Sequence, residues 1–280
     1  MRVYFVKTLL GTEAGKRKLA RPWHYHRGYN VDSARFRRPP LQVLLMKIPK
    51  KIDPDCLKNS IVQVLFKPSV PDELLLGEFN NCLSAQLKFV AGTAPKFDPK
   101  TGTLQLGTGF FLDSKELVKI EVSGTGLVFN LYKDYPGWAT YYPVVANTLT
   151  KAFDAGLVEN VNRIGIRYIS QFENVDLLNN FNVTLDVAIP NVNASQLTQV
   201  KTEVHDGNFK IILNLINKMS SDDYGGKPTS VIDVDVIQIV EQVNAAEEVL
   251  NLVQNGHQRQ KEAFFSLLQP EFLKTLNPEY

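Results

Sequence analysis

Two sets of residues in this chain have the types and spacing to do chemistry. The first is Arg163, Arg167 and Tyr168, within Val161-Asn-Arg-Ile-Gly-Ile-Arg-Tyr-Ile-Ser170. Read as a strand, this segment puts Ile164, Ile166 and Tyr168 on one face and Arg163, Gly165 and Arg167 on the other. Two guanidinium groups roughly 13 Å apart, with bare backbone at Gly165 between them, could cradle an extended anion or an acidic segment of a partner. The competing reading pairs each arginine with a carboxylate on a neighbouring element, such as Glu121, Asp134 or Glu173, and it is the stronger of the two. The second set is Asp233 and Asp235, roughly 7 Å apart on one face of a Val231-to-Val240 strand. Such a pair can hold a divalent cation or share acid and base roles. No histidine or third acid sits at a matching offset, so a solvent-facing pair opposite a core face of Ile232, Val234 and Val236 is the stronger reading.

No further chemistry emerges from spacing. Cys56 and Cys82 form neither a disulfide framework nor a metal-ligand pattern, and Cys82 falls on an apolar helix stripe. His257 lies on the apolar seam of a long helix, where a satisfied core histidine is the plainer reading. No Ser/His/Asp, Cys/His or phosphate-loop set appears, so no catalytic residue, metal or cofactor is assigned.

The elements that must position these residues read as α+β. Ile61-Val-Gln-Val-Leu-Phe66 is a strand, and Ser69, Pro71, Asp72 and Glu73 supply a helix start. Leu75, Phe79, Cys82, Leu83 and Leu87 form the buried stripe of that helix. Strands are predicted over Thr103–Leu112, Leu117–Val122 and Leu127–Lys133, with Ser123-Gly-Thr-Gly126 as the turn joining the last two. Trp138 opens a helix carrying Tyr141, Tyr142, Val145, Leu149, Ala152 and Phe153, which Gly156 stops. Trp138 and Tyr142 are expected to bury with Ile164 and Ile166, and a ligand pocket is the alternative use of these aromatics. Strands over residues 183–188, 197–204, 209–216 and 230–240 follow, then a helix from about Glu241 to Leu268, which Gly256 should weaken or bend. The fold expected is largely antiparallel sheet backed by helices. The first half is ferredoxin-like and a long helix closes the chain.

Charge divides the chain unevenly. Residues 1–51 hold thirteen Lys/Arg against two acids, a net of +11, which leaves −9 for the rest. A basic arm of this kind could bind nucleic acid or an anionic membrane. Without a sustained hydrophobic period it reads instead as a disordered or non-native extension over residues 1–45, with Met46 as the native initiator. Residues 46–175 then form a first α+β half, and 176–280 a strand-rich second half. The acidic body disfavours broad nucleic-acid binding. No run of about 18 apolar residues is present, so no membrane span is expected. The few cysteines fit a reducing cytoplasm.

From Lys47 to Tyr280 the chain is similar to a sporadically distributed family of bacterial and archaeal proteins. The pieces that carry the likeness are Ile48-Pro-Lys-Lys-Ile52, the strand at 61–66, Gly137-Trp138, Arg163-Ile-Gly-Ile-Arg-Tyr-Ile169 with Phe172-Glu-Asn174, and His257 with Phe264-Phe265. Ser170 stands where the family has Asn. The resemblance implies no activity; the family's patchy distribution implies a place in host-conflict gene neighbourhoods. The function expected is a cytoplasmic, non-enzymatic interaction or regulatory protein in a defence or toxin–antitoxin-like module, with a protein partner. The alternative is an RNA-binding or RNA-processing protein that uses Arg163, Arg167 and Tyr168 on a ferredoxin-like sheet.

Overall fold

The computed structural model describes residues 2–3, 47–93, 96–98, 103–105, 107–185, 198–219 and 226–280. The extension expected over residues 1–45 lies outside them except for Arg2–Val3 (β1), as does Met46. Alternating burial creates the first long strand, β2 (Leu57–Pro68), where Ser60, Val62, Val64 and Phe66 face inward. Pro71 precedes α1 (Asp72–Leu83), whose Leu75, Phe79 and Leu83 bury on one stripe. Leu87 is not on that stripe. It opens β3 (Leu87–Thr93), a strand not expected from the sequence because only its first residue is buried and period-2 patterning is absent.

The strand expected over Thr103–Leu112 is two strands. A small hairpin of β4 (Lys96–Asp98) and β5 (Thr103–Gln105) precedes β6 (Thr108–Asp113). The meander continues through β7 (Val118–Ser123) and β8 (Gly126–Leu131), whose connecting turn lies at 124–125. Next come α2 (Trp138–Asp154) and β9 (Val158–Glu173), sixteen residues long. The second half holds α3 (Leu177–Asn180), β10 (Thr184–Leu185), β11 (Thr198–Asp206), β12 (Phe209–Met219) and β13 (Thr229–Val243). It ends in α4 (Ala246–Leu267) and α5 (Pro270–Thr275). Because β13 runs on to Val243, α4 begins at Ala246 rather than near Glu241.

Nine strands form one antiparallel sheet in the order β11-β12-β13-β9-β2-β8-β7-β6-β3. The boundary expected at 175/176 falls between β9 and α3, and the sheet continues across it through the β9–β13 pairing. β1 pairs in parallel with β10, outside the large sheet. Helices α1, α2 and α4 pack on the sheet face that carries Val62, Val64, Ile164 and Ile166, enclosing one core cluster. A second cluster gathers β11–β13 with the C-terminal half of α4, α5 and the segment around Ile52 and Cys56.

Gly256 explains how α4 reaches the sheet. A Cβ there would lie 2.9 Å from Ile166 Cγ1, closer than real Cβ atoms come, and a tight 3.0 Å from Gln238 Nε2. The glycine expected to weaken the helix is the one that lets it dock. Tyr141, not Tyr142, is the fully buried aromatic of α2, and its hydroxyl donates to the carbonyls of Phe129 (2.8 Å) and Ser60 (3.3 Å). Trp138 and Tyr142 sit at the rim of that core, only partly buried.

Candidate functional site

Register decides what surrounds the two arginines. Arg167 stands opposite Asp235 on β13 and Ile61 on β2, and Arg163 stands opposite Ile239 and Leu65. All of these lie on the sheet face away from α4. The Arg167 guanidinium closes a bidentate pair on Asp233, with Nε to Oδ1 at 2.8 Å and Nη2 to Oδ2 at 2.7 Å. The carboxylate partner foreseen for Arg167 therefore exists, but it is Asp233 and not Glu121, Asp134 or Glu173; Glu173 pairs with Lys227 instead. Arg163 folds its guanidinium over Gly165 and donates to Gln63 Oε1. The bare backbone between the arginines is thus covered by one of them.

The two aspartates are not a solvent-facing pair. Asp233 is 7% exposed and held by Arg167, while Asp235 is partly buried. Burial raises the Asp235 carboxyl above its ordinary range, although Arg163 and Arg167 pull it down. With both oxygens of Asp233 committed to a guanidinium, the pair is not arranged to hold a metal. No group of three His, Cys, Asp or Glu among the described residues is so arranged either.

Tyr168 belongs to a different place. It lies on the helix-covered face, 7% exposed, and its hydroxyl sits 2.9 Å from His257 Nδ1 and 3.2 Å from the Tyr135 hydroxyl. The structure therefore separates Tyr168 from Arg163 and Arg167. The reason is the period of the strand, which sends successive side chains to opposite faces.

Around Tyr168 the chain forms a cleft of about 420 Å³, lined by the 50–57 segment, residues 135–138, β9 and α4. The Trp138 indole stacks on the His257 imidazole with ring centroids 3.8 Å apart and planes 8° from parallel, and its Nε1 donates to Gln254 Oε1 at 2.9 Å. Burial pushes His257 down to about 3, assisted by the charge of Lys261. Burial likewise pushes the Tyr135 hydroxyl and the Cys56 thiol each up to about 12, and Tyr168 well above the ordinary phenol range. Either polarity of the Tyr135–Tyr168–His257 chain leaves all three groups neutral at neutral pH.

Two further residues of this cleft escaped sequence reasoning. Gln260 is 1% exposed and its Nε2 has no hydrogen-bond partner, and the half-buried Lys261 is lowered by burial alone. A signal was present, since His257, Gln260, Lys261 and Phe264 recur at helical spacing on one face of α4. Polar residues on an otherwise apolar seam mark it.

No family model matches the chain, and no curated protein matches it closely enough to count as a relative. No helix among the described residues is long and apolar enough to cross a membrane.

Proposed function

We propose that this is a non-enzymatic interaction or regulatory protein, one that works by binding and engages a protein partner. One observation carries the reading: the buried, hydrogen-bonded chain of Tyr135, Tyr168 and His257 in the cleft under α4. A general acid or base works best with a pKa near the operating pH. Here His257 is displaced to about 3, and Tyr135 and Cys56 to about 12, so each stays in one form across the neutral range. Held in one form, Tyr135, Tyr168 and His257 present the same donors and acceptors to a ligand every time, which suits recognition. Cytoplasmic residence, suggested by the cysteine usage, and a place in a defence or toxin–antitoxin-like module are part of the same proposal. Affinity purification at native expression tests it. A stoichiometric partner protein is expected; a lone monomer carrying neither partner nor ligand counts against the reading.

One observation favours RNA binding as a second reading. β8-α2-β9 is a crossover that spans one strand, β2, while β2-α1-β3 spans β8, β7 and β6, so that β9-β2-β8 lie side by side with β3 at the far edge. That is the ferredoxin-like order with the β6–β7 hairpin inserted, which supports a ferredoxin-like first half. Arg163 and Arg167 then lie on the sheet surface that such folds use for RNA. Against it, Arg167 is neutralised by Asp233, and Tyr168 is buried on the other face, where it cannot stack a base. RNA binding at moderate salt by a chain starting at Met46, lost in Arg163→Ala/Arg167→Ala, would establish this second reading in place of the first.

A further inference from the structure

We infer that the cleft beneath α4 binds a small carboxylate carried on an apolar body. The inference rests on the reading of this molecule as a binding protein and names the ligand class for one of its sites. Its volume of about 420 Å³ lies in the range of small-molecule sites. Ile52, Leu57, Phe264 and Phe265 give it apolar walls. A bare inorganic anion would leave those walls facing water, so the ligand needs an apolar part.

The charged end is set by two donors without acceptors. Gln260 Nε2 is sealed from solvent with no hydrogen-bond partner, a state rare for a buried amide. Lys261, one residue on and partly buried beside it, has no carboxylate partner among the described residues. A carboxylate offers two oxygens and about four lone-pair sites, one to meet the Lys261 ammonium and one to draw the unpartnered Gln260 amide out of its sealed position by a side-chain rotation. The balance of charge agrees: Lys51 and Lys261 line the cleft against Asp55, while Lys50 donates to Tyr280 O at 3.1 Å and His257 is neutral. A cationic ligand would meet a net positive charge there.

Isothermal titration calorimetry on the full chain tests this, with 1-naphthoate and octanoate as aryl and alkyl probes and 1-naphthalenemethanol as the neutral control. At least one acid is expected to bind one site per chain with a Kd below about 1 mM. Lys261→Met should weaken that binding about ten-fold and abolish the advantage of acid over alcohol. Asp55→Asn keeps the oxygen that accepts from Leu57 N and should tighten binding about two- to five-fold by removing the opposing charge. The two variants move affinity in opposite directions, which a folding defect cannot imitate. Which probe wins decides between an aryl and an alkyl ligand. Silence from both acids at about 5 mM, or equal affinity in Lys261→Met, overturns the proposal. A partner protein recovered without any carboxylate binding would overturn this ligand class alone. Carboxylate binding by a chain that purifies without a partner would overturn the partner reading alone.

Discussion

The two faces of β9 solve the same problem in opposite ways. On one, Arg167 and Asp233 keep their charges and satisfy each other in a bidentate pair, at the half-exposed surface of the sheet. On the other, beneath α4, Tyr168 and His257 keep their hydrogen bond and give up charge altogether. The difference follows from solvent access. Where water still reaches one partner, an ion pair survives at modest desolvation cost. Under a packed helix a charge is expensive, and the group neutralises instead. Two residues adjacent in sequence therefore experience different media.

That contrast makes the pH dependence of stability the sharpest test. His257 has a folded value near 3 against about 6.5 unfolded, so the unfolded chain takes up a proton first as pH falls. Its contribution is fully present above pH 6.5 and is lost through the window from 6.5 down to about 3. At about 1.4 kcal/mol per unit, roughly 3 kcal/mol should disappear between pH 6.5 and 4. Denaturant unfolding of the protein and of His257→Gln across this range measures it as a difference in slope. Parallel profiles would mean that His257 titrates as freely as a surface group, and the contrast between the faces would collapse.

The second effect is smaller and sits on the charged face. Arg167→Ala leaves Asp233 buried without its partner and should cost about 2 kcal/mol, less than a fully buried pair because the arginine is half exposed. Arg167→Ala/Asp233→Ala should recover part of that loss, since no orphaned charge remains. A double variant as unstable as the sum of the singles would show that the pair contributes packing rather than electrostatics.

Smallest is Asp235→Asn. The raised Asp235 carboxyl means that its ionised form costs stability above its unfolded value, and protonation at low pH relieves that cost. The substitution should therefore stabilise by under about 1 kcal/mol at pH 7, with the gain vanishing near pH 3. A destabilised variant at pH 7 would mean that Asp235 serves Arg163 and Arg167 as a working counter-ion.

Much of the scaffold was legible from local pattern. The buried stripe of α1 through Leu83, the start of α2 at Trp138, and the face assignments of Arg163, Arg167 and Tyr168 all follow from period 3.6 or period 2. The turn between β11 and β12 is Gly207-Asn208, and Gly207 takes the positive φ that such a two-residue loop requires. β3 was hidden because its residues beyond Leu87 are exposed, so it carries no alternation to detect. The end of β13 was misplaced because Glu241 and Gln242 look like a first helical turn, yet the strand persists to Val243.

What the amino-acid sequence determined by itself was periodicity: which residues share a face and where chains turn. Tertiary structure decided the partners. Only the pairing of β9 with β13 brings Asp233 to Arg167, sixty-six residues away. Only the docking of α4 through Gly256 onto Ile166 brings His257 to Tyr168 and Trp138, and so makes that histidine neutral. The physical reason is range. Backbone propensity and alternation act over a few residues and can be read along the chain. Desolvation and ion pairing depend on what arrives from elsewhere in it.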